Sequence, residues 1–169
     1  MVVPIELPAA LERLRLAEDP MAGLGVPAHV TLLFPFIPRG SISVARLSDV
    51  ATIAEREPSF EAALTAVRRF PSSEPAIDAV LWLAPEPVEP FLRLTAAIAA
   101  TYPDYPPYGG IHDEVIPHLT IATGSVAGFD HLEAEIRGHL PVLYRVGEAA
   151  LLLEDEAGRW SVGERFRLG

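Results

Sequence analysis

Cysteine is absent from the 169 residues, which excludes disulfides, thiolate nucleophiles and cysteine-ligated zinc. Lysine is absent too, and all 13 basic residues are arginine. That removes a lysine nucleophile and a lysine phosphate clamp. No apolar run approaches the roughly 20 residues needed to cross a bilayer. The first residues, Met1-Val2-Val3-Pro4-Ile5-Glu6, lack the basic start and long apolar core of a secretory signal. No membrane contact is therefore expected, and a cytoplasmic location is the default. A surplus of positive charge is also missing. The formal net charge is −10, and a protein that grips many backbone phosphates needs a basic face. Long nucleic acid is not an expected partner; a small nucleotide or a single RNA end fits the field better.

Half of the residues are hydrophobic, enough for a real core, and the length suits one domain built as two lobes over residues 1–169. Val2–Ile5 reads as a strand and Pro8–Leu16 as a helix, with Leu7, Leu11 and Leu14 on one face. Ala28–Phe34 alternates as a strand. Ser43 caps a helix that turns Val44, Leu47, Ala51 and Ala54 inward and stops at Pro58. Ser59–Phe70 alternates, with Phe60, Ala62, Leu64 and Ala66 on one face. Ile77–Leu83 is a more continuously apolar strand, and Val88–Ala100 is a helix facing inward through Phe91, Leu94 and Ile98. A loop rich in proline and tyrosine runs from Tyr102 to Pro117. Ile116–Thr123 is a strand, Phe129–Leu140 a helix, and Val142–Val146, Ala149–Glu154 and Arg159–Phe166 are strands. Asp155-Glu156-Ala157-Gly158 turns the last two into a hairpin.

The order helix, loop, His-x-Thr strand, helix, strands occurs twice. His29-Val30-Thr31-Leu32 and His118-Leu119-Thr120-Ile121 carry the repeat, each shortly after a proline. The repetition predicts an α+β fold of two lobes related by a pseudo-twofold axis. On a strand, residues i and i+2 share a face. His29 and Thr31 then point one way while Val30 and Leu32 point into the core, and His118 and Thr120 repeat this over Leu119 and Ile121. Facing each other across a cleft, the two pairs surround one tetrahedral anion. Phosphodiester cleavage uses such a set. One imidazole takes a proton from the attacking oxygen and the other protonates the departing one. Two hydroxyls hold the non-bridging oxygens. Histidine suits both proton roles because its pKa of ~6.5 lies near neutrality. The scheme asks for no metal and no cofactor.

The paired motifs, with Pro27-Ala28-His29-Val30-Thr31-Leu32-Leu33-Phe34-Pro35-Phe36 and Pro117-His118-Leu119-Thr120, resemble the two-histidine (2H) phosphoesterase superfamily. The nearer look-alikes are 2′-5′ RNA ligase-like proteins and cyclic phosphodiesterases. The resemblance covers nearly the whole chain. It implies two mainly antiparallel sheets flanked by helices, with the motifs on facing strands and the active-site cleft between the lobes. It implies hydrolysis of 2′,3′-cyclic phosphates or related phosphodiesters of RNA ends and small cyclic nucleotides. By position, His29 and His118 become the acid–base pair, the first as acid and the second as base, with roles that exchange with substrate orientation. Thr31 and Thr120 become phosphate ligands. Many RNA ligase-like members carry an arginine just after the second motif, where this chain has Ile121-Ala122-Thr123-Gly124.

Further candidates surround the motifs. Tyr108 in the loop before the second motif, Phe36 after the first, and Arg39 beyond it are candidate substrate contacts. Tyr102, Tyr105 and Phe34 divide between anchoring and stacking. His112, Asp113 and Glu114 near His118 would serve a metal-dependent hydrolase, against the plainer reading of a solvated loop. His131, Glu135 and His139 read as a solvated helix face. The rival to catalysis is a module that binds a phosphate-bearing ligand without turning it over; it needs neither imidazole. A monomer is expected.

Overall fold

Val2–Pro4 is β1, Ala9–Glu18 is α1, Pro20–Gly23 is α2, His29–Thr31 is β2, Val44–Arg56 is α3 and Phe60–Pro71 is β3. Ala79–Glu86 is β4, Glu89–Thr101 is α4, Leu119–Gly124 is β5 and Val126–Arg137 is α5. Val142–Val146, Glu148–Glu154 and Trp160–Arg167 are β6, β7 and β8. The computed structural model describes residues 1–71 and 79–169; the expected strand start at Ile77 lies outside the described residues.

Two four-stranded antiparallel sheets result, ordered β2-β1-β7-β8 and β5-β4-β3-β6. This is the expected α+β arrangement of two antiparallel sheets flanked by helices. The sheets are not built from contiguous halves. The first joins the two ends of the chain, since Val2 of β1 pairs with Ala150 of β7. The second is built from the middle of the chain. In both sheets the motif strand lies at an edge, and the two edges, β2 and β5, touch each other. That contact brings two motifs far apart in sequence to one place.

The helices bind the sheets together. α1 packs on β5, α3 on β8 and α4, and α5 on β3. Ser43 caps α3 by accepting from the Arg46 N–H, as its position predicts. Val44 does not face inward: it is 85% exposed. The buried row of α3 instead runs through Val50 and Ala54, with Leu47 and Ala51 beside it, because the first turn overhangs the sheet. α5 starts at Val126 and stops at Arg137, so His139 lies beyond it. The strand expected over Ala28–Phe34 is confined to His29–Thr31.

Bulges explain where simple alternation fails. In β3 a register shift between Leu64 and Ala66 moves the inward parity from Ala62 and Leu64 to Val67. A second shift falls where Leu81 pairs with Ala122 and Trp82 pairs with Thr120. It buries both Ile121 and Ala122 completely and turns Thr123 to the side of Thr120. The β7–β8 turn closes as its sequence predicts: the Asp155 carboxylate accepts from the Ala157 and Arg159 N–H groups at 2.9 Å each.

Candidate active site

Val30, Leu119 and Ile121 are fully buried, and Leu32 almost so. These apolar anchors hold the two motif strands in the core and leave the alternate side chains on the outer face. His29, Thr31, His118 and Thr120 all line one cleft of about 580 Å³. β1 supports the first motif through the pairs Val2 with Thr31 and Pro4 with His29. β4 supports the second through Trp82 with Thr120.

Both imidazoles are oriented by the same device. His29 Nδ1–H donates to the Pro27 carbonyl oxygen at 2.7 Å. His118 Nδ1–H donates to the Ile116 carbonyl oxygen, also at 2.7 Å. Each acceptor is the carbonyl two residues upstream. With the proton on Nδ1, the neutral ring keeps its lone pair on Nε2. Nε2 of His29 lies 3.1 Å from Thr31 Oγ1, so the Thr31 hydroxyl donates to it. Among the described residues His118 Nε2 has no such partner. Burial pushes the His29 pKa down to about 4 despite the Pro27 bond, and the Arg15 charge adds to the shift. Burial also lowers His118, against the opposing effect of its bond to Ile116. Desolvation disfavours the imidazolium in both cases.

Arg15 is 2% exposed. Its guanidinium donates to the Val26 carbonyl at 2.7 Å and pairs with Asp19 at 3.3 Å. It thus pins the chain one residue before Pro27, whose carbonyl orients His29. Asp19 is itself buried and accepts from the Met21 N–H at 3.0 Å.

The remaining sequence candidates divide. Tyr108 lines the cleft, and burial pushes its phenol pKa up. Its backbone is left-handed, φ 53°, an uncommon state for a residue with a β-carbon. Its N–H donates to the Phe34 carbonyl at 2.6 Å, which ties the loop to the first motif. Phe36 touches the cleft but packs edge-on against Tyr102 and Tyr105, with centroids at 5.2 and 6.0 Å; its ring is mainly an anchor for that loop. Arg39 is exposed on the cleft rim and reaches the Glu154 carbonyl at 3.4 Å. His112, Asp113 and Glu114 are exposed; His112 packs edge-on to Tyr108, and among the described residues no three His, Asp or Glu side chains converge as a metal site. His131, Glu135 and His139 are exposed as expected.

Sequence reasoning missed three features. Thr123 joins Thr120 in the cleft, which strict alternation would forbid and the β5 bulge allows. Phe70 and Trp82 stack on each other at 4.4 Å, and both meet the His118 ring edge-on at 5.1 and 5.8 Å. They form the wall behind that imidazole. Trp160, 6.4 Å from the sequence candidate Phe34, lines with it the opposite, apolar part of the cleft. The aromatic content of β3 and β4 is visible in the sequence, but not which histidine it meets.

A family model described as the 2′-5′ RNA ligase superfamily matches residues 3–158. Among solved structures, TT0787 of Thermus thermophilus is 23% identical with a TM-score of 0.60, over 99% of this chain and 95% of that one. LigT of E. coli in its apo form is 21% identical with a TM-score of 0.57, over 97% and 94%. A structure described as a phosphoesterase is 19% identical with a TM-score of 0.55, over 97% and 95%. At these identities the structures show a common fold. Curated protein sequences yield no match. With the family model spanning nearly the whole chain, this protein belongs to the 2′-5′ RNA ligase superfamily of two-histidine phosphoesterases.

Proposed function

We propose that the protein is a phosphodiesterase that hydrolyses 2′,3′-cyclic phosphates of small nucleotides by acid–base catalysis between His29 and His118, without a metal ion. The observation that carries this reading is the matched pair of imidazoles. Each is held through Nδ1 by the carbonyl two residues upstream, and both line one cleft with Thr31 and Thr120. A module that only binds phosphate needs hydroxyls and cations, not two imidazoles locked in the same tautomer. His118, whose Nε2 is unengaged among the described residues, takes a proton from the attacking water. The oxygen of that water forms the new bond to phosphorus while the bond to the 2′ or 3′ oxygen breaks. His29, protonated at Nε2, gives its proton to the departing oxygen. Thr31 and Thr120 hold the non-bridging oxygens as their charge grows.

The cleft also bears on substrate size. Its charged lining residues are Arg39, Asp19 and Glu154, a set that does not attract a polyanion. The apolar wall of Phe34, Met21 and Trp160 suits one flat base. Structures of E. coli LigT with ATP, NADP+, 3′-AMP and phosphate show what that protein accommodates on the same fold, and they favour a nucleotide here. The test is a panel of 2′,3′-cyclic mononucleotides, 3′,5′-cyclic nucleotides and cyclic-phosphate RNA ends, assayed with a chelator present. The expected result is ring opening of the 2′,3′-cyclic mononucleotides to a single monoester. Failure to open any cyclic phosphate would remove the reading.

The lowered pKa values predict an unusual pH profile. The reactive free enzyme holds one proton between the two histidines, and that state peaks between their two pKa values. One is about 4 and the other below 6.5. kcat/KM should therefore be bell-shaped with its maximum on the acid side of pH 6.5, falling about tenfold per pH unit on the alkaline limb. A bound phosphate anion favours the imidazolium, so the kcat optimum should lie at higher pH than that of kcat/KM. Initial rates from pH 4 to 9 measure both.

A further inference from the structure

A plain strand sends alternate side chains to one face. Thr120 and Thr123, three residues apart, would then lie on opposite faces. The β5 bulge removes that conflict: Ile121 and Ala122 are both fully buried, and the parity changes between them. Thr120 pairs with Trp82 and Thr123 with Val80, two positions apart on β4. The bulge therefore gives the two threonines the spacing of i and i+2 neighbours, roughly 6.5–7 Å along the strand. Both line the cleft. Along this sheet edge the outward order is His118, Thr120, Thr123.

The threonine hydroxyls of the cleft are not equivalent. The Thr31 proton is engaged by His29 Nε2 at 3.1 Å. Among the described residues the Thr120 and Thr123 hydroxyls have no hydrogen-bond partner. Standing positive charge beside them is scarce. Arg39 lies on the rim and reaches the Glu154 carbonyl. The Met1 amino group donates to the Leu33 carbonyl at 2.8 Å, and burial lowers its pKa to about 5. Arg15 is enclosed with Asp19. Burial also disfavours the cationic form of both imidazoles.

We propose that Thr123 is a third phosphate ligand and that, with Thr120, it makes the β5 edge a neutral cradle selecting singly charged phosphodiesters over doubly charged phosphomonoesters. A phosphoryl group that accepts one hydrogen bond of ~2.8 Å at each of two oxygens fits between hydroxyls at this spacing. Hydroxyl donors hold an anion without supplying a counter-charge. The cost of taking an anion out of water rises steeply with its charge, and no standing cation at β5 offsets the second charge of a monoester. Hydrolysis of a cyclic phosphate turns the first kind of ion into the second. The cradle that holds the substrate thus lets the product go.

The inference rests on reading the cleft as a phosphate site, and binding tests it without turnover. The probes are 2′-deoxyadenosine 3′-(methyl phosphate), singly charged, and 2′-deoxyadenosine 3′-phosphate, which is close to doubly charged at pH 7.5. Neither has the 2′ hydroxyl needed to close a cyclic phosphate. Calorimetry at pH 7.5 should show wild-type protein binding the methyl diester more tightly than the monoester. Thr123→Val, which keeps the shape and removes the donor, should weaken binding of the diester about 10-fold or more, the range of one hydrogen bond to a charged group. Thr123→Ser, which keeps the hydroxyl, should stay within about threefold of wild type. Wild-type affinity in Thr123→Val, or equal losses in Thr123→Val and Thr123→Ser, would overturn Thr123 as a ligand. Tighter binding of the monoester by the wild type would overturn the neutral cradle. Binding of neither nucleotide by the wild type would instead refute the phosphate-site reading beneath both.

Discussion

Alanine at His118 is expected to lower kcat for 2′,3′-cyclic AMP by about 10²–10⁴-fold, the range that positioned proton transfer supplies. KM should change far less, because the Thr31 and Thr120 hydroxyls proposed to hold the phosphate remain. The ring is partly exposed at the cleft surface, so its loss should leave folding intact and the effect should be one of rate. His29→Ala is expected to fall in the same range. Acid and base act in one step, so the double variant should be hardly slower than either single one. Added imidazole should restore part of the His118→Ala rate, since the cleft is open to solvent on that side. Steady-state kinetics with a thermal melt of each variant separates loss of chemistry from loss of structure.

The second large effect is on stability. Arg15→Ala removes a guanidinium that is 2% exposed while leaving Asp19, 5% exposed, without its cation and the Val26 carbonyl without its donor. Breaking a buried pair in this way costs about 3–5 kcal/mol, against a total of roughly 5–15 kcal/mol for a typical domain. Burial already holds the Asp19 carboxyl above the usual range, against the opposing effects of the Met21 N–H and of Arg15. Without Arg15 it rises further, so the variant should regain stability as the pH falls and the carboxyl is neutralised. Asp19→Asn placed on Arg15→Ala should recover part of the loss at pH 7. Denaturant unfolding at pH 5 and 7 measures both expectations. The pair also reaches the chemistry, because it anchors the residue before Pro27 and so the carbonyl that orients His29.

The motifs are readable because two constraints coincide on a strand. Apolar Val30, Leu32, Leu119 and Ile121 must go inward, and the pleat then sends His29, Thr31, His118 and Thr120 outward. Helices such as α3 and α4 are readable from their spacing, and the β7–β8 turn from Asp155 and Gly158. Other features depend on pairing between distant segments. The bulges in β3 and β5 arise from register with their neighbours, so neither Val67 nor Thr123 can be assigned from alternation. That β1 joins β7 is invisible in the sequence, since nothing in either strand names its partner. Arg15 looks like one more polar residue on an amphipathic helix; only the packed structure shows it enclosed with Asp19. Val44 departs from its expected burial because helical periodicity fixes a face but not how far the helix extends past the sheet beneath it. Phe36 sits beside the site in sequence, yet its ring is turned mainly to Tyr102 and Tyr105 because the loop needs an anchor there.

The central claim is that the two His-x-Thr segments form one phosphate site. NMR of the histidine side chains during a titration with 3′-AMP tests it most directly. The account predicts that the His29 and His118 signals move together, with one midpoint and a stoichiometry of one nucleotide per chain. Movement of one imidazole alone, or two separate midpoints, would contradict it.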